Sequence, residues 1–231
     1  MRAGDNAPPL LRSLACELPA AKSALELEAL RLPRGAAAPI DLRLEGPERL
    51  AIVGPNGCGK STLLRVIAGQ LPPASGRLRR HVAIGWLDQH AGRALPRLTP
   101  CQWLQTLNPT LSEADARTRL AQLGLSARQS SLPSAGLSGG EAMRVALAAQ
   151  LYAAPAPQML LLDEPDNHLD LDSREALLAM LSQYRGALLA VSHDMDFLAR
   201  LQPHRWLWLK TDSPHRLSDR LPADMLASGE R

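Results

Sequence analysis

From Leu25 to Leu32 the chain reads LELEALRL, with apolar and polar residues alternating, and Ile40–Leu44 (IDLRL) does the same. A period of two puts successive side chains on opposite faces of a pleated strand, so both segments predict strands with one buried face. Glu48–Val53 (ERLAIV) ends in a continuous apolar run, the mark of a strand covered on both faces. Lys60–Leu71 shifts to helical spacing, and strand-like sequence returns through His81–Gln89. Between about 95 and 150 the character is helical: Cys101–Leu107, then Ser112–Leu125 with Ser112 as N-cap, then Gly139–Ala153.

Ala154-Pro155-Ala156-Pro157 breaks that stretch. Gln158–Glu164 follows, an apolar run too short for a helix, and after it come a helix (Ser173–Tyr184), a strand (Ala187–Ser192), a helix (Met195–Leu201) and a strand (Arg205–Lys210). Strands alternating with helices predict an α/β domain around a mainly parallel sheet, and the helical stretch is long enough to be an inserted subdomain. Residues 1–24, rich in Pro, Ala and charge, read as a linker or flexible lead-in. The folded domain is expected over 25–210, with 211–231 as a tail, and no internal repeat is present.

The 231 residues suit one α/β domain and not two, and a hydrophobic content of 45% excludes a disordered chain. Aromatics make up only 3%, so the core must be built from Leu, Ala, Val and Ile. A net charge of +3 is too small to imply nucleic acid by itself. No apolar run approaches the ~20 residues that span a bilayer, and the first residues have no signal-peptide pattern, so a cytoplasmic protein is expected. Cys16, Cys58 and Cys101 are scattered without metal-ligand spacing, which fits a reducing compartment and argues against a zinc site.

The candidate chemistry begins at Gly54-Pro55-Asn56-Gly57-Cys58-Gly59-Lys60-Ser61-Thr62, a G-x-x-x-x-G-K-[ST] loop lying after a predicted strand and before a predicted helix. Glycines let backbone N–H groups converge on phosphate oxygens, and the helix start adds its positive dipole end. Lys60 is expected on the β- and γ-phosphates, Ser61 on Mg²⁺ and Thr62 near the α-phosphate. About a hundred residues on, Asp163 and Glu164 tip the apolar strand Met159–Leu162. The carboxyl ends of parallel strands are where open α/β sheets bind ligands. Asp163 is expected to hold Mg²⁺ and Glu164 to act as general base toward the attacking water.

Leu137-Ser138-Gly139-Gly140-Glu141 opens a helix and makes a second anion-binding turn, more than one domain needs for one triphosphate. With this tract the chain resembles the ATP-binding cassette family, whose signature is LSGGQ or LSGGE. The resemblance covers about residues 25–210 and implies an antiparallel β subdomain beside the P-loop core. It also implies that Ser138, Gly139 and Gly140 clamp the γ-phosphate held by a second cassette, either a second copy or a missing N-terminal half. Gln89 resembles the family's Q-loop glutamine, which senses Mg²⁺ and water, and His193 resembles the switch histidine that contacts the γ-phosphate and orients Glu164. Leu169-Asp170 resembles the D-loop.

The tract Asp163–Asp170 (DEPDNHLD) looks like the ABC-F subfamily, with Asn167-His168 as the distinguishing pair and Asp166 where that subfamily has Thr. The resemblance implies a soluble ATPase acting on the ribosome, and a chain matching the C-terminal cassette of a two-cassette protein. A transporter's ATPase subunit and a half-site that turns over little ATP alone are the alternatives. A second departure is that no Tyr, Phe or Trp precedes Trp86, whereas the family stacks adenine on an aromatic near Leu30–Arg34; either Leu32 supplies apolar cover instead or a partner does.

Overall fold

The computed structural model describes residues 17–88, 90–92, 95–167, 169–211 and 213–221. Three antiparallel strands form one sheet: β1 (Ser23–Arg31) lies between β2 (Ile40–Glu45) and β4 (Ser75–Arg80). The alternation of the sequence is visible in β2, where Ile40, Leu42 and Leu44 are buried and the residues between them exposed.

The second sheet has the order β5 (Ile84–Leu87), β6 (Met159–Asp163), β7 (Ala187–Val191), β3 (Arg49–Val53), β8 (Arg205–Trp208) and β9 (Arg216–Ser218). The pairs from β5 to β8 are all parallel, and β9 closes the edge antiparallel to β8. The central strands are buried on both faces and feed two cores in alternation. Leu50, Ile52, Met159, Leu161, Leu189 and Val191 pack toward α1 (Lys60–Ala68) and the antiparallel sheet. Ala51, Val53, Leu160, Leu162, Leu188 and Ala190 pack toward the helices of the other face. That is why these strands read as unbroken apolar runs. The expected α/β class with a parallel core and a separate antiparallel sheet is the fold observed.

The helical stretch comprises α2 (Pro100–Leu107), α3 (Glu113–Gln122), α4 (Ala127–Ser131) and α5 (Gly139–Leu151). Ser112 caps α3 by accepting from Asp115 N, as its position in the sequence predicted. After β6 come α6 (Leu171–Gln183) and, after β7, α7 (Met195–Arg200). Order extends to either side of 25–210. Leu18 is buried with its N–H donated to Arg185 O, and β9 adds a strand beyond residue 210 from sequence with little hydrophobic pattern. Among the described residues no helix is long and apolar enough to cross a membrane.

Candidate nucleotide site

Because β3, β6 and β7 run parallel, their carboxyl ends open at one edge of the sheet, and the three loops that leave them are neighbours there. The loop after β3 is the Gly54–Gly59 turn. Gly54 lies so close to β8 that a Cβ would stand 2.3 Å from Leu209 O, which no side chain could tolerate. Gly59, at φ 103°, is the N-cap of α1 and supplies no side-chain cap. Each of the other α-helices is capped by its own chain through Thr99, Ser112, Ser126, Ser138, Asp170 or Asp194. Only α1, among the described residues, keeps its first N–H groups free of a side-chain cap. At its start the nearly buried Lys60 donates Nζ to Gly54 O at 2.7 Å and to Pro55 O at 3.2 Å. Cys58, inside the loop, is fully buried, which pushes its thiol pKa up.

Ser61 Oγ donates to Asp163 Oδ1 at 2.9 Å, joining the loop to the tip of β6 across 102 residues of sequence. Burial holds the Asp163 carboxyl above the usual range; the Ser61 hydroxyl opposes this, while neighbouring Glu164 and Asp88 add to it. A hydroxyl and a buried carboxylate crowded by two further acids form a hard-oxygen donor set that a Mg²⁺ ion would fit and relieve. Among the described residues no three His, Cys, Asp or Glu side chains converge into a metal cage.

Glu164 sits at φ 51°, a left-handed conformation costing a non-glycine residue about 1–3 kcal/mol. Two backbone bonds hold it there: Glu164 N donates to Val191 O at 2.9 Å, and Glu164 O accepts from Asn167 N at 3.2 Å across a turn with Pro165 at its second position. The carboxylate is bracketed, with Oε1 2.9 Å from His193 Nε2 and Oε2 accepting from Asn167 Nδ2 at 3.4 Å. His193 follows β7 and is 57% exposed, against 19% for Glu164.

The structure thus brings Lys60, Ser61, Asp163, Glu164 and His193 to one edge, together with Asn167 and Asp88, which sequence reasoning had not placed in the site. In the sequence Asn167 stands out only as a subfamily mark, although its spacing of three residues from Glu164, across a Pro turn, is the signal that places it here. Asn56 and Gly57 are exposed on the loop, and Thr62 is half-buried on α1. Gln89 and His168 lie outside the described residues.

The Ser138-Gly139-Gly140 turn opens α5. Ser138 Oγ accepts from Glu141 N at 3.3 Å and Glu141 Oε2 accepts from Ser138 N at 2.8 Å, a reciprocal cap on α5. Ser138 and Gly139 are exposed and Gly140 is buried. A cleft of about 560 Å³ separates this turn from the loop after β6, lined by Leu95, Pro96, Leu137, Met143, Asn167 and Leu169 among others. The two glycines differ sharply. A Cβ on Gly139 would meet nothing within 4 Å, whereas one on Gly140 would stand 1.8 Å from Ser173 Oγ and 2.5 Å from Ser173 Cβ, at the start of α6. Gly140→Ala is therefore expected to destabilise the fold by about 1–3 kcal/mol through overpacking, and Gly139→Ala by less than about 1 kcal/mol. Urea unfolding of the two variants checks this, and equal losses would contradict it.

A family model described as ABC transporter matches residues 37–167. The chain belongs to the ATP-binding cassette family. ATP-binding cassette sub-family F member 2 of Mus musculus is 36% identical over 186 residues, covering 79% of this cassette's chain and 28% of its own. ABC transporter F family member 4 of Arabidopsis thaliana is 40% identical over 169 residues, covering 70% and 23%. The chain thus spans about a quarter of the length of the curated relatives it matches. Among solved structures, an inward-facing metal-chelate-type ABC transporter superposes with a TM-score of 0.74 at 23% identity, covering 89% of this chain and 88% of that one. A dimeric post-hydrolysis cassette bound to ADP and Pi superposes with a TM-score of 0.67 at 21% identity, covering 86% and 100%. At those identities the likeness speaks for the cassette fold alone.

Proposed function

We propose that this cassette binds Mg-ATP and hydrolyses it to ADP and phosphate when paired with a second cassette. The observation that carries the reading is the meeting, at one sheet edge, of an uncapped helix start, Lys60, the Ser61–Asp163 pair and the bracketed Glu164. Lys60 and the free N–H groups of α1 bind the β- and γ-phosphate oxygens. Ser61 and Asp163, with Gln89, hold the Mg²⁺, which when bound spreads the charge developing on those oxygens. Glu164 accepts the proton of the attacking water, and His193 and Asn167 fix its carboxylate so that one oxygen faces the γ-phosphate.

Ser138, Gly139 and Gly140 serve the other half of the pair. Their turn is exposed at Ser138 and Gly139 and has open space at Gly139 for another molecule to approach. The γ-phosphate of a nucleotide held by one cassette then bridges to the turn of the next, excluding water and completing the charge clamp.

The DEPDNHLD tract and the F-subfamily relatives support a soluble cytoplasmic factor that acts on the ribosome during translation. Sedimentation with ribosomes tests this. Glu164→Gln protein is expected to co-sediment in ATP and to be released in ADP; equal recovery in both nucleotides, or none in either, overturns the ribosomal role and leaves the ATPase reading to the kinetic tests below.

A further inference from the structure

His193 has little to hold it. Its ring is more than half exposed, its described polar partner is Glu164, and that partner is itself on a strained turn. The position of the imidazole must therefore come from its backbone, and residue 192 is where the backbone is fastened. Ser192 is buried, its Oγ donates to Asp166 Oδ2 at 2.8 Å, and the same oxygen accepts from Asp194 N at 2.9 Å. One hydroxyl thus pins both sides of His193: the turn after β6 through Asp166, and the start of α7 through Asp194, whose Oδ1 caps Phe197 N at 2.9 Å.

Asp166 is an unusual choice for this place. Its second oxygen, Oδ1, is buried with no hydrogen-bond partner among the described residues. Burial raises its pKa; the Ser192 hydroxyl and its own backbone N–H oppose the rise, Asp194 adds to it and Arg174 lowers it. The carboxyl also sits on the same four-residue turn that sets the φ of Glu164.

We propose that Asp166, acting through Ser192, is a positioning residue for hydrolysis: it locks the turn carrying Glu164 to the turn carrying His193, so that base and histidine keep their 2.9 Å contact during turnover. This rests on the reading of Glu164 and His193 given above. Neither Asp166 nor Ser192 reaches the phosphate loop by any hydrogen bond among the described residues, so nucleotide affinity is not theirs to set.

The test is the ATPase activity of the paired protein in Asp166→Ala, Asp166→Asn and Ser192→Ala, each also made in a His193→Ala background. Asp166→Ala and Ser192→Ala are each expected to lower kcat about 10-fold with KM for ATP unchanged. Asp166→Asn, which keeps an oxygen for the Ser192 hydroxyl, is expected to restore most of that loss. In the His193→Ala background Asp166→Ala should cost nothing further, because the residue it positions is gone; a purely structural role would cost the same in both backgrounds. Full activity of Asp166→Ala, a rise in KM, or additive losses with His193→Ala overturns the inference. If His193→Ala and Glu164→Gln themselves turn over normally, the functional reading fails first, and the two failures are told apart in one set of assays.

Discussion

Glu164→Gln is expected to lower ATP turnover by at least about 100-fold while ATP affinity stays unchanged. The substitution keeps the shape of the side chain, and an amide oxygen can still accept from Asn167 Nδ2 or sit opposite His193 Nε2. What it removes is a carboxylate able to take a proton from water, and positioned general bases contribute about 10²–10⁴-fold. On the proposed reading affinity is set by Lys60, Ser61 and the α1 start, and neither Lys60 nor Ser61 bonds to Glu164. The measurement is single-turnover hydrolysis beside equilibrium binding of ATP. Retained turnover would remove Glu164 from the role of base, and lost binding would mean the carboxylate holds the loop and not the water. On the proposed cycle, in which hydrolysis separates the pair, the variant should also accumulate ATP-dependent pairs; light scattering that shows no mass change in ATP would count against self-pairing and point to a different second cassette.

The parts of this site that depend on local pattern were legible in the sequence. Glycines, a lysine and a serine between an apolar run and a helical one define the phosphate loop, because the loop's function lies in its own backbone. The strand tips were legible for the same reason: a parallel sheet puts Asp163, Glu164 and His193 at the ends of apolar runs. What could not be read was pairing across the gaps. Nothing in the sequence joins Ser192 to Asp166, a bond that exists because β6 and β7 are adjacent in register; the bond from Asn167 to Glu164 lies within one turn, and the nearness of His193 to Glu164 is expected only from the family resemblance. The small strand β9 escaped because an edge strand of three mostly exposed residues, Arg216–Ser218, has no hydrophobic alternation to show. The signature glycines are a mixed case. Both were assigned to anion binding from their motif, yet only Gly139 is free of packing demands, while Gly140 is needed for the closeness of α5 to α6 whatever else it does.

Lys60→Ala is expected to weaken ATP binding by about 100-fold and to abolish hydrolysis at ordinary ATP concentrations. Hydrogen bonds to charged groups are worth about 1.5–3 kcal/mol each, so loss of one ammonium from a polyphosphate corresponds to that factor. The ammonium also has work within the loop. It donates to Gly54 O and Pro55 O; Gly54 O has no other donor among the hydrogen bonds of the described residues, while Pro55 O also accepts from Cys58 N at 3.3 Å. Alanine would leave both without it and relax the turn that aims the N–H groups, so part of the affinity loss is expected to be preorganisation. Lys60→Arg separates the two contributions: it keeps the charge, but its planar fork cannot copy a compact ammonium nearly buried between two carbonyls and a helix start. If charge alone matters, Arg restores binding; if the geometry of the ammonium matters, Arg binds as weakly as Ala. The second outcome is expected here, because Lys60 is only 7% exposed and a larger head group has no room to retreat. Wild-type affinity in Lys60→Ala would mean that the nucleotide phosphates lie elsewhere on the protein, and with them the whole assignment of this sheet edge.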